Sequence, residues 1–100
     1  MRSEHINYLL TVLEQGAINK ASMVLHLSRQ HLSWILTALE EEIGCEIICR
    51  TRNGITLTEA GQAILDDLKQ IDSLSQKVLQ TYQKDSQKMK DVYKRQALWG

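Results

Sequence analysis

The sequence predicts a mainly α chain: three short helices, a two-stranded β-hairpin and one long C-terminal helix. Three observations predict it. Apolar residues recur at helical spacing between Ser3 and Gly44. Two short strand-like runs then flank Asn53-Gly54. Finally, no Gly or Pro interrupts the stretch from Gln62 to Lys90. One hundred residues hold a small domain and an appendage, too little for a two-lobed receptor or an α/β enzyme with a deep cofactor cleft.

The first helix reads from Ser3, an N-cap, to Gly16, a residue suited to the left-handed position past a helix end. Ile6, Leu9, Leu10 and Leu13 mark its buried face. A second, short helix is expected to start at Asn19 as N-cap and to carry Ala21, Val24 and Leu25 inward. Leu25-His26-Leu27 turns the chain, and Ser28 caps a third helix. There Leu32, Ile35 or Leu36, Leu39 and Ile43 face the core, and Gly44 stops the helix. The period then changes. Ile47-Ile48-Cys49 and Gly54-Ile55-Thr56-Leu57 favour strands, and Asn53-Gly54 between them is a strong hairpin signal. A helix-turn-helix followed at once by a hairpin is the winged helix-turn-helix arrangement.

Thr58 caps the last helix, with Glu59 at the positive end of its dipole. Ile64, Leu68, Ile71, Ser75, Val78 and Tyr82 follow at spacings of 4, 3, 4, 3 and 4 residues, the heptad alternation of a coiled-coil seam. Leu65, Leu74 and Leu79 widen the stripe. The alternative is a helix lying against its own domain. About 30 residues at 1.5 Å each give about 45 Å, more than a domain of this size covers, so the seam calls for a second copy and a homodimer.

Composition excludes several functions. Twelve basic and twelve acidic residues cancel, so net charge alone makes no case for a polyanionic partner. No run approaches the roughly 18 apolar residues of a membrane span. Met1-Arg2-Ser3-Glu4 opens no signal peptide, so a cytoplasmic location is expected. Cys45 and Cys49 have no second pair and no nearby His to complete a zinc site, and are expected to be small apolar fillers. His5, His26 and His31 share no spacing. No nucleophile, base and orienter assemble. The expectation is a non-enzymatic chain with no metal and no cofactor.

The stretch from about His5 to Leu68 resembles the N-terminal DNA-binding region of LysR-type transcriptional regulators. The resemblance lies in Gly16-Ala17-Ile18-Asn19-Lys20-Ala21, Leu25-His26-Leu27-Ser28 and Leu32-Ser33. It continues in Ala38-Leu39-Glu40-Glu41-Glu42-Ile43-Gly44, Arg50-Thr51 and Leu57-Thr58-Glu59-Ala60-Gly61, in the family's order and spacing. It implies a winged helix-turn-helix domain over 1–58, a linker helix over 59–90 that dimerises antiparallel, and regulation of transcription on double-stranded DNA. A tetramer is implied for full-length members. Some positions depart from the pattern. Arg29-Gln30 stands where the family has Gln-Pro or Gln-Ser, Trp34 stands where it has a basic residue, and Glu46 and Ile48 replace its Pro and Phe. Family members continue into an effector-binding domain with a small-molecule site, and the expectation is a chain truncated before it. Asp91-Val92-Tyr93-Lys94-Arg95-Gln96 looks like a translated transposase end, so 91–100 is expected to be a non-native or disordered tail.

With Leu32, Leu36 and Leu39 turned inward, Arg29, Gln30, Ser33, Trp34 and Thr37 share the opposite side of the third helix. The N-terminal half of a recognition helix is what enters the major groove. Arg29 can fork onto guanine O6 and N7, and Gln30 can pair with adenine N6 and N7. Ser33 suits a base or a phosphate. Trp34 suits a thymine methyl or a sugar edge, or else partial core packing. Lys20, Ser22, Ser28, His31 and Thr37 are candidate backbone contacts, and Arg50, Arg52 and Asn53 form a wing able to reach phosphates or the minor groove. Residues 1–58 carry five basic groups (Arg2, Lys20, Arg29, Arg50, Arg52) against six acids. Four of those acids, Glu40, Glu41, Glu42 and Glu46, gather near the far end of the recognition helix. A competing function is a protein-interaction module, with the long helix pairing with full-length relatives and blocking their DNA binding.

Overall fold

A computed structural model describes residues 1–81 in full and continues as helical backbone to Trp99. Tyr82 and the 91–100 tail lie outside the fully described residues. The elements run α1 (Ser3–Gln15), α2 (Ile18–Leu25), α3 (Arg29–Ile43), β1 (Ile48–Thr51), β2 (Gly54–Leu57) and α4 (Glu59–Trp99). This is the expected order of three helices, hairpin and long helix.

The helix ends follow local chemistry, with two corrections. Gly16 and Gly44 end α1 and α3 in the left-handed region, as their lack of a Cβ allows. Ser28 caps α3, its Oγ accepting from the His31 N–H at 3.0 Å. Ser3 and Asn19, however, are not caps. Arg2 and Ala17 hold those positions, neither with a side-chain hydrogen bond. Asn19 lies inside the first turn of α2, where its carbonyl accepts from Ser22 Oγ at 2.8 Å. The turn after α2 is made by His26 in the left-handed region (φ 57°), with the Leu27 N–H closing back onto Ser22 O at 2.9 Å.

The core sits where α1, α2 and α3 cross. Ile6, Leu9 and Val12 of α1 meet Ala21 of α2, Leu32, Leu36 and Leu39 of α3, and Ile47. Each large side chain buried there contributes about 1.5–3 kcal/mol. Ile43 is half-buried against this cluster. Val24 is 54 % exposed, because α2 is only two turns long and Ala21 and Ile18 already fill its inward face. Cys45 packs half-buried against the core, but Cys49 is exposed on β1, so only one of the two cysteines is a filler.

Ile47 joins the elements together. Its side chain is fully buried. Its N–H donates to Glu40 Oε2 at 2.6 Å, and the neighbouring Ile48 N–H reaches the same oxygen at 3.4 Å. Its carbonyl accepts from the Thr58 N–H at 2.9 Å and from Thr58 Oγ1 at 3.2 Å. Thr58 Oγ1 in turn caps α4 by accepting from the Gly61 N–H at 2.9 Å. The end of α3, the start of β1 and the start of α4 are thereby tied to one residue.

The hairpin pairs antiparallel with Thr51 opposite Gly54, leaving Arg52-Asn53 as its two-residue loop. Asn53 keeps a negative φ, and the positive φ falls on Gly54 alone (126°). A tertiary contact sets this position. The Ile55 N–H donates to Gly16 O at 3.0 Å, and a Cβ on Gly54 would lie 2.5 Å from that same oxygen. The wing is therefore docked on the α1–α2 corner.

The α4 stripe divides. Leu68 is buried and Ile64 packs half-buried in the domain's own core, so these two seam residues are occupied within the subunit. Beyond them Ile71, Leu74, Val78 and Leu79 are exposed, at 37 %, 61 %, 65 % and 56 %. Ser75 is half-buried on the side facing Arg2 and Asn7 of the α1 end.

Candidate nucleic-acid interface

The Ser28 cap decides what the start of α3 presents. It uses the His31 amide, and Leu32 N–H bonds Ser28 O at 3.0 Å. Arg29 and Gln30 amides are among those a helix leaves without an intrahelical partner. Their side chains are exposed, as are those of His31, Trp34 and Thr37. Leu32, Ile35, Leu36 and Leu39, all but fully buried, fix which side faces out. Trp34, at 66 % exposure, is not a core residue. His31 lies one turn before it, with 19° between the ring planes and 6.3 Å between centroids.

The wing reaches this face. Arg50 Nη2 donates to Ser33 Oγ at 2.6 Å. Ser33, half-buried, thus has one lone pair engaged by the wing, and the guanidinium sits against α3 instead of trailing in solvent. Thr37 Oγ1 donates to Ser33 O at 3.0 Å. A shallow groove of about 450 Å³ results, lined by Ile18, Arg29, Gln30, Ser33, Trp34, Thr37 and Arg50. Arg52 and Asn53 stand exposed at the hairpin tip and Lys20 on α2. Ser22 does not join them, since it is 7 % exposed and bonded to Asn19 O.

Electrostatics favour an anionic partner at this end of α3. Glu41, Glu42 and Glu46 are exposed at the other end, and Glu42 pairs with the Met1 ammonium. Thirteen residues at 1.5 Å put about 20 Å between Arg29 and Glu42, well beyond the roughly 8 Å screening length at physiological salt. Glu40 is spent on the backbone of Ile47 and Ile48. The local field at the groove is set by Arg29, Arg50 and the helix dipole.

The sequence reading missed three features: the Glu40 bridge, the Ser33–Arg50 bond and the His31–Trp34 stack. Only the last has a local signal, the i, i+3 spacing of two aromatic rings. Among the described residues no group of three or more His, Cys, Asp or Glu gathers to hold a metal, and no helix is long and apolar enough to cross a membrane.

Comparison with known proteins agrees with this geometry. Residues 3–62 match the family described as "Bacterial regulatory helix-turn-helix protein, lysR family". The chain is 35 % identical over 77 residues to the HTH-type transcriptional regulator TfdT of Cupriavidus pinatubonensis, covering 77 % of this chain and 34 % of that protein. With BudR of Klebsiella aerogenes it shares 32 % over 80 residues, covering 80 % and 56 %. The chain thus spans about a third to just over half the length of these relatives. Among solved structures it superposes on CbnR, a LysR family transcriptional regulator, with a TM-score of 0.75 and 30 % identity over 83 % of this chain and 29 % of that one. The CbnR DNA-binding domain in a crystal structure of its DNA complex gives a TM-score of 0.75 and 29 % identity, covering 86 % of this chain and 99 % of that one. A buried three-helix core, a Ser28-capped third helix, a docked wing and a match over residues 3–62 lead to one assignment: the chain belongs to the lysR family of bacterial regulatory helix-turn-helix proteins.

Proposed function

We propose that this chain is a sequence-specific module that holds a dyad operator as a dimer, one α3 in the major groove of each half-site. The observation that carries the reading is the single face on which Arg29, Gln30 and Trp34 stand exposed beside an Arg50 held by Ser33. Arg29 and Gln30 are the base readers, each worth about 1–3 kcal/mol of discrimination. Their free amides, at the positive end of α3, suit a phosphate. Lys20, Ser28, His31 and Thr37 serve backbone contacts from the helices. Arg52 and Asn53 serve them from the wing tip, and Arg50 spans wing and helix. Ser33 acts through Arg50. The solution of the CbnR domain as a DNA complex, at a TM-score of 0.75, supports the same use of this fold here.

Dimerisation rests on the exposed part of the α4 stripe, Ile71, Leu74, Val78 and Leu79, with Ser75 and Tyr82 continuing the period. Few phosphates are neutralised per subunit, so joining two half-sites is what raises affinity and salt dependence. The test is selection of bound duplexes from a random library with the 100-residue chain, followed by anisotropy titration of the winner against scrambled duplex at two salt concentrations. The expected result is a dyad consensus bound at least about 1,000-fold more tightly than scrambled DNA. Absence of any enriched sequence would refute the proposal. The exposed α4 face alone also favours a second use, pairing with longer relatives to block their DNA binding. That reading predicts a dimer that binds no duplex in the same titration.

A further inference from the structure

Trp34 is the least economical residue on the α3 face. An indole left 66 % exposed keeps a large apolar surface in water, on a face otherwise made of guanidinium, amide and hydroxyl groups. It is also held. The His31 ring lies 19° from parallel at 6.3 Å, within the range of offset aromatic pairs, and the i, i+3 spacing sets both rings on one side of the helix. Beside the indole, Ile18, Arg29 and Arg50 line one groove, and Arg50 is held there by Ser33 Oγ at 2.6 Å. An apolar ring beside two cations fits a small apolar group carried on a polyanion.

Major-groove edges of DNA offer one such group, the C5-methyl of thymine. 5-Methylcytosine carries the same methyl at the same ring position. We infer that Trp34, braced by His31, is a specificity residue that reads a pyrimidine C5-methyl, so that this chain distinguishes methylated from unmethylated pyrimidine at one position of each half-site. Trp34 is the reader and His31 a positioning residue, acting by holding the indole plane. The inference rests on the DNA-binding reading above and adds to it a chemical group and a sensitivity to cytosine methylation.

The experiment uses the 100-residue chain and its selected duplex in anisotropy titrations. Thymines are replaced one at a time by uracil, and cytosines one at a time by 5-methylcytosine, so that only a methyl changes. The expected result is one position per half-site where removal of the methyl weakens binding roughly fourfold, the transfer value of one such group. If that position holds a cytosine, methylation strengthens binding by a like factor. Trp34→Ala should bind both forms equally. His31→Ala should shrink the ratio and His31→Phe should keep it, a rescue that a role in folding alone does not explain. A parent chain that binds its duplex tightly yet shows ratios below about twofold at every pyrimidine overturns the inference and leaves the DNA-binding reading standing. A Trp34→Ala variant that keeps the parent's ratio also overturns it. Failure to bind any duplex removes both.

Discussion

Gly61→Ala sets a helix preference against a tertiary contact. Gly61 is the third residue of α4, and glycine inside a helix is about 1 kcal/mol worse than alanine. On propensity alone the substitution stabilises. The structure reverses the sign. A Cβ at this position would lie 2.2 Å from Ile47 O and 3.0 Å from Ile47 C and Cγ2, where ordinary contact starts near 3.4 Å. Something must give by about 1.2 Å, and the neighbour is backbone of a fully buried residue. Overpacking of this kind costs about 1–3 kcal/mol. Moving the Ile47 carbonyl also strains its bond from the Thr58 N–H (2.9 Å), about 1 kcal/mol. The net is a destabilisation of about 1–3 kcal/mol, after the roughly 1 kcal/mol gain in propensity is subtracted. For a chain of this size that lowers Tm by at least about 4 °C. Circular dichroism at 222 nm during heating, at one fixed protein concentration because dimerisation is linked to stability, reads it. Ser73→Ala, on the exposed side of the same helix, controls for propensity and should stay within about 0.5 kcal/mol of the parent. A Gly61→Ala melting temperature equal to or above the parent's would refute the packing argument.

Four further outcomes follow from the same geometry. Glu40→Ala strands the buried Ile47 N–H and should cost about 1.5–3 kcal/mol in urea unfolding, whereas Glu40→Gln keeps a carbonyl acceptor and should cost less; equal losses would mean that the bridge is not the cause. Arg29→Ala should relax base preference, and an unchanged consensus in repeated duplex selection would exclude Arg29 as a base reader. Arg52→Ala should weaken all duplexes alike and reduce the slope of log K on log salt by about 0.9 for each phosphate it no longer neutralises; a weakening confined to some sequences would argue for base readout instead. Ile71→Asp sets a charge on the apolar α4 face, where pairing would bury it at a cost of several kcal/mol. Sedimentation should then show monomers, and an intact dimer would remove this face from the interface.

Legibility in the sequence tracked the range of the interactions. The element order, the Ser28 and Thr58 caps, the stops at Gly16 and Gly44 and the inward face of α3 all depend on residues within about one helical turn. Each could be read off directly. Ser3 and Asn19 have the right chemistry for caps and still are not, since α1 starts at Ser3 itself and α2 at Ile18, after Arg2 and Ala17. The exposed face of α3 was legible by subtraction, once Leu32, Leu36 and Leu39 were turned inward. The fate of the α4 stripe was not, since a 4-3 alternation is the same whether Ile64 and Leu68 meet a partner or their own core.

The one-dimensional pattern of apolar period, capping residue and turn glycine was by itself enough to determine three helices, a hairpin, a long helix and the polar edge of α3. Only the tertiary structure decided that Glu40 secures the buried Ile47 amide, that Gly54 must clear the Gly16 carbonyl, that Gly61 must clear that of Ile47, and that Arg50 leans on Ser33. These are contacts between residues 7 to 38 positions apart. Local preferences carry no record of such pairs, because each depends on the angle at which whole elements pack, and that angle is set by the shared core rather than by either residue.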